Sequence, residues 1–99
     1  MRITKATVEK SKVTFTAVAG PGAALAKTAA GFPYAVLDRQ VNKTTVVQLG
    51  ARSTIRKRSG TFTISGYDSP GRHLYIVRFV PSAGTGYTET DATRTLRVK

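Results

Sequence analysis

The chain has no cysteine and no tryptophan, one histidine, one methionine, and only five acidic residues. Without cysteine there is no disulfide framework, no zinc knuckle and no thiol nucleophile. No apolar run approaches the roughly 18–20 residues of a membrane span, so no membrane insertion is expected. The opening Met1-Arg2-Ile3-Thr4-Lys5 leads into alternation instead of the apolar core of a signal peptide. Disulfide miniproteins, membrane proteins and most metalloenzymes are thereby excluded.

What is present is a single domain's worth of chain, residues 1–99. Hydrophobic residues make up 40% of it, too many for a disordered basic tail. Sixteen Lys and Arg against five Asp and Glu give a formal charge of +11, a strong bias for so short a chain.

The dominant period is two. Val13, Phe15 and Ala17 alternate with Lys12, Thr14 and Thr16, and Phe62 and Ile64 alternate with Thr61, Thr63 and Ser65. Residues 72–80 are the longest strand candidate, with His73, Tyr75, Val77 and Phe79 inward and an outer face made apolar by Leu74 and Ile76. Leu96 and Val98 share a face in the closing segment 93–98. Segments rich in Val, Ile, Thr, Tyr and Phe and bounded by Gly, Pro or Ser read as strands. Weaker alternation occurs at 2–8, 34–41 and 44–49, with a turn or bulge at Gly50 before Ser53-Thr54-Ile55. About seven short antiparallel strands predict an all-β sandwich or small barrel. Residues 19–33 break the pattern, being small and Ala/Gly-rich. Gly20-Pro21-Gly22 predicts a turn, and 23–30 has the propensity for a helical turn within a long loop.

The C-terminal half resembles bacterial immunoglobulin-like domains. The resemblance is carried by Ser59-Gly60-Thr61-Phe62-Thr63-Ile64, by Pro70-Gly71 before the long strand to Phe79, by Gly86-Tyr87, and by Thr95-Leu96-Arg97-Val98. It extends loosely to residues 12–49. Such modules occur in tandem on secreted and cell-wall proteins and singly on phage virion proteins. The resemblance implies an immunoglobulin-like β-sandwich of about seven strands, non-enzymatic work and no catalytic residues. Two departures stand out: His73 occupies the place of a strand-entry tyrosine, and the Ala/Gly-rich loop is an insertion. The lack of cysteine and tryptophan fits the bacterial type, whereas antibody domains need both.

Other chemistry is poorly supported. Lys27-Thr28 follows a strand and small residues, as in a phosphate-binding loop, but Ala26 and Pro21 occupy the glycine positions that motif needs. His73 lacks the motifs that accompany a catalytic base, and is expected to pack at the strand entrance and hydrogen-bond a loop carbonyl. Glu9, Asp38, Asp68, Glu89 and Asp91 are all the acids. Glu89 and Asp91 share a face near Tyr87, but a strongly positive chain makes a salt bridge to Arg94 or a neighbour more natural than a calcium site. A paired-carboxylate glycosidase cleft is equally unlike so small a module. Asn42-Lys43-Thr44 has the form of a glycosylation sequon, a pattern frequent by chance. No cofactor and no metal is expected.

The basic residues are the strong signal. Arg52, Arg56, Lys57 and Arg58 cluster around the turn before strand 61–65, and Arg72, Arg78, Arg94 and Arg97 decorate the last two strands. Outward alternation puts Arg72 and Arg78 on one sheet face. Solubility alone does not need +11, so Arg52, Arg56, Lys57, Arg58, Arg72 and Arg78 are expected to meet an anionic partner. Teichoic acid, acidic polysaccharide, lipopolysaccharide, nucleic acid or an acidic neighbouring subunit all satisfy that chemistry. The expected function is a non-enzymatic structural or adhesive module, extracellular, on a cell surface or in a virion, contacting neighbouring subunits or domains. A native start at Met1 favours the virion, and a domain cut from a longer chain favours the cell surface. The alternative is a small basic β-barrel that binds nucleic acid. Against it, Phe15, Phe62, Tyr75 and Phe79 fall on core faces, leaving Tyr34, Tyr67 and Tyr87 scattered over loops for base stacking.

Overall fold

Eight strands arise where the alternation is, and the computed structural model describes residues 1–99. They are β1 (Arg2–Glu9), β2 (Lys12–Val18), β3 (Tyr34–Gln40), β4 (Val46–Gln48), β5 (Ser53–Thr54), β6 (Thr61–Tyr67), β7 (Gly71–Val80) and β8 (Thr90–Val98). One sheet has the order β1-β2-β6, the other β4-β3-β7-β8 with β5 also paired to β3, and every pairing is antiparallel. The chain is an all-β sandwich, with two short strands, β4 and β5, beyond six long ones.

The period-two faces meet in the core. Val13, Phe15 and Ala17 of β2 are fully buried and pair across to Gly66, Ile64 and Phe62 of β6. From the opposite sheet come Ala35 and Leu37 of β3, paired with Phe79 and Val77 of β7. The Phe15 and Tyr75 rings meet between the sheets with centroids 5.7 Å apart. Val98 closes this core and Leu96 packs against it, on the shared face expected for the last strand.

Departures from simple alternation have local causes. In β1 the register shifts between Ile3 and Lys5, so Thr4 is an extra residue. Ile3 therefore faces the core together with Ala6 and Val8, a set no uninterrupted period of two produces. In β3 four consecutive residues, Ala35 to Asp38, are buried, because Arg78 lies directly across from outward-facing Val36 and reaches Asp38 at 3.4 Å. The expected turn at 23–30 reduces to one 3-10 turn at Gly22–Leu25. Eight residues of high helix propensity do not hold a helix alone, and here Thr28 and Gly31 exchange both backbone hydrogen bonds instead.

Two glycines permit close approaches. At Gly60 φ is +77°, and a Cβ there would collide with the Ala19 carbonyl, whose own N–H donates to Gly60 O at 2.9 Å. Gly66 lets Leu49 lie against β6, where an added Cβ would stand 2.8 Å from Leu49 Cβ.

The pairings also fix the ends of the sandwich. Arg2 lies beside Val18 and Val18 beside Thr61, while Val98 lies beside Gly71, just past the β6–β7 turn. The first strand thus begins at one end and the last strand finishes at the other. The 19–33 segment, the 55–60 connection and the 80–90 connection all gather at the Arg2 end.

Candidate functional site

At the Arg2 end the 55–60 connection is pinned at both sides. Ile55 is 2% exposed and donates its N–H to Pro33 O at 2.9 Å, while the Gly60 N–H returns to Lys57 O at 3.0 Å. With its flanks held, the connection pushes Arg56, Lys57 and Arg58 into solvent. Facing it is the 19–33 segment, tied down by two hydroxyls. Thr28 Oγ1 lies 2.6 Å from Ser82 Oγ and 2.7 Å from Ala83 O, and Ser82 donates to Gly31 O at 2.7 Å.

These anchors place Phe32 and Tyr34 among cations. Lys27 Nζ stands 5.2 Å and the Arg56 guanidinium 5.0 Å from the Phe32 ring centroid, and the Arg52 guanidinium lies 4.5 Å from that of Tyr34. Such contacts hold a flexible cation in place by about 0.5–1 kcal/mol at exposed sites. A cleft of about 580 Å³ opens between Leu25, Lys27, Phe32, Arg56, Lys57 and Arg58. A second hollow of about 220 Å³ adjoins it, lined by Phe32, Tyr34, Arg52, Thr54 and Arg56 among others. No acidic side chain lines either one, and none of these five cations has a carboxylate within 4.0 Å.

The structure thus unites four of the six expected anion-binding residues, Arg52, Arg56, Lys57 and Arg58, and adds Lys27 and Phe32. The other two lie elsewhere. Arg78 shares the outer face of β7 with Arg72, as alternation requires, but it is engaged by Asp38 at 3.4 Å and Glu89 at 3.3 Å. Glu89 therefore pairs with Arg78, and Arg94, on the opposite face of its sheet, instead donates to Ile3 O at 3.3 Å. Arg72 sits opposite Arg97 at the far end of the sandwich.

That far end carries a cluster around Asp68, whose side chain is 4% exposed. Arg39 donates to it at 2.8 Å, the Tyr75 hydroxyl at 2.7 Å and the Ser69 N–H at 2.8 Å, with His73 Nε2 3.7 Å away. Burial pushes the Asp68 carboxyl up, but the Tyr75 and Ser69 hydrogen bonds and the His73 and Arg39 charges together outweigh it and hold it below the usual range. Burial first, then the bond to Asp68 and its charge, push the Tyr75 phenol above its ordinary value. His73 meets the Ser69 carbonyl at 2.9 Å, the loop-carbonyl contact expected of it. Arg39 Nε is the one buried side-chain polar atom without a partner. Nothing in the sequence singles out Asp68 among the five acids. An isolated Asp in a turn gives no sign that Arg39, 29 positions upstream, will reach it.

Of the tyrosines, Tyr67 is 69% and Tyr87 45% exposed, whereas Tyr34 is half-buried under Arg52. No three His, Asp or Glu side chains come together in a metal-binding group. No protein-family model, curated protein or solved structure matches the chain.

Proposed function

We propose that the chain is a non-enzymatic immunoglobulin-like module that engages an anionic partner through the cleft around Phe32. Its setting on this reading is a bacterial surface or secreted protein or a phage virion, where it has a structural or adhesive role beside neighbouring subunits or domains. The observation that carries the binding function is the set of five exposed, uncompensated cations, Lys27, Arg52, Arg56, Lys57 and Arg58, around two aromatic rings. Like charges gathered without counter-ions repel one another, and an arriving polyanion relieves that repulsion.

Two features support the immunoglobulin-like assignment. The orders β1-β2-β6 and β4-β3-β7-β8 are those obtained when strands A, B and E form one sheet and C′, C, F and G the other. Tyr75, in the middle of β7, also ties that strand back to the preceding turn through Asp68, much as the tyrosine corner of that fold does through backbone. A non-enzymatic role is supported by the placement of the sole histidine, which meets Ser69 O and the Tyr75 ring edge.

The test compares one triple and one double variant for binding to immobilised heparin. Arg56→Gln/Lys57→Gln/Arg58→Gln should elute at clearly lower salt than the parent chain, and Arg72→Gln/Arg97→Gln should shift much less. Equal shifts would mean that charge alone, not the cleft, governs binding.

A further inference from the structure

We infer that the Phe32 cleft receives a linear polymer of tetrahedral oxyanions, phosphate or sulfate groups, gripped at several successive groups and recognised without contact to nucleobases. The inference rests on the anion-binding function proposed above and names the ligand class of that site.

The first ground is continuity. The cleft beside Lys27 and the hollow beside Tyr34 share Phe32 and Arg56. A third groove, of about 330 Å³ between β5 and β6, shares Arg56 and Lys57 and runs past Thr54. Arg56 therefore stands where three concavities join. One tetrahedral anion reaches into one of them at a time, whereas a chain of such anions passes from one to the next with a cation at each station.

The second ground is how the rings are used. A protein that reads single-stranded nucleic acid by stacking offers open aromatic faces to the bases. Here Phe32 already carries Lys27 and Arg56, and Tyr34 already carries Arg52. A base would have to displace a cation that the same ligand's phosphates need. A guanidinium held over a ring still has its N–H edge free, and that edge matches two oxygens of a phosphate or sulfate. The rings thus serve to fix the cations. The exposed tyrosines that could stack, Tyr67 and Tyr87, lie outside all three concavities.

The third ground is the surrounding chemistry. Ser53 and Thr54 line the track, and no carboxylate does. A carboxylate would be expected if the site selected amines or metal ions; hydroxyls and cations together suit sulfate and phosphate oxygens.

The experiment uses the full chain and five probes: inorganic phosphate, polyphosphate, a heparin decasaccharide, oligothymidylate, and an abasic phosphodiester oligomer of the same length. Expected are polymer affinities at least a hundredfold above inorganic phosphate, with oligothymidylate and its abasic counterpart within about threefold of each other. With about four groups engaged, log K should fall against log salt with a slope near −3, and Arg52→Gln or Arg56→Gln should each make it shallower by about 0.7. Phe32→Leu should weaken heparin and oligothymidylate by the same factor. A preference between polyphosphate and heparin, in either direction, supports the inference and names the oxyanion.

Three results would overturn it: oligothymidylate binding over tenfold tighter than the abasic oligomer, inorganic phosphate matching the polymers, or selective loss of oligothymidylate in Phe32→Leu. Unchanged slopes in both arginine variants would place the polymer elsewhere and overturn it as well. If none of the polymers binds, the anion-binding function itself fails, a result distinct from all of these.

Discussion

Tyr75 and Asp68 are joined by a hydrogen bond of 2.7 Å that fastens the middle of β7 to the turn at its entrance. The phenol is fully buried, and the carboxylate also accepts from Arg39 and Ser69. The bond links a core side chain to the ionised cluster at the Val98 end, so changes of pH act on the core through it.

Acid should weaken the fold through Asp68. Its folded pKa lies below the unfolded value of 3.8, so the folded state binds fewer protons there. The stabilisation is complete above that value and is lost as pH falls through the folded pKa. Melting temperatures measured from pH 6 down to 2 should drop below about pH 4 for the parent and less steeply for Asp68→Asn. At neutral pH the same substitution should cost about 1.5–3 kcal/mol, since it removes the charge that Arg39 meets.

Alkali should act through Tyr75. Its folded pKa lies above the unfolded 10.0, so the stabilisation is complete below pH 10 and is lost as pH rises towards the folded pKa. Followed by tyrosinate absorbance, one of the four tyrosines should ionise only with unfolding, and Tyr75→Phe should abolish that late step. At neutral pH, Tyr75→Phe should cost about 1–3 kcal/mol, because Asp68 loses a buried donor.

Phe62 and Phe79 face each other's sheets at 6% and 1% exposure. Truncation to alanine should cost roughly 3–5 kcal/mol at each, read by urea denaturation. A loss under about 0.5 kcal/mol at both would contradict the assigned inward faces.

Local opening should be confined by the hydroxyl pair of Thr28 and Ser82. In hydrogen exchange the 19–33 segment should protect less than 72–80, except at its hydrogen-bonded amides, among them those of Ala19, Ala24 and Ala30 and the Thr28 and Gly31 amides, which are paired to each other. Thr28→Val keeps the shape and removes the hydroxyl, so those two amides should exchange faster while 72–80 stays unchanged. Unaltered exchange at Gly31 would mean that the backbone pair alone holds the segment.

Much of this architecture could be read in advance wherever one face of a strand is buried and the other is wet. That condition holds for β2, β6 and β7, whose alternation is regular. It fails for β1, where Thr4 resets the faces, and for β3, where Arg78 covers the outer side of Val36 and Asp38. The Ala-rich run holds only the single turn expected within its long loop, because intrinsic helix propensity over eight residues is weaker than the contacts that draw Thr28 to Ser82. In the site, Arg56-Lys57-Arg58 is visible as a run of charge. Lys27 and Phe32 are not, because they join it only once β3 and β5 pair. Arg78 looks as available as Arg56 in one dimension, and only the strand register shows Asp38 beside it.

The strand directions have a mechanical consequence. Met1 and Lys99 leave from opposite ends of a body 40 Å long, and β1 and β8 each share a backbone ladder with one strand only, Arg94 adding a single side-chain hydrogen bond between them. Tension between the termini pulls both strands along their own axes. Their rungs to β2 and β7 are then loaded in shear and must yield together, where a pull from one end would unzip them singly. A molecule stretched from Met1 and Lys99 should therefore rupture at a higher force than one stretched from Lys10 and Lys99, both at the Val98 end.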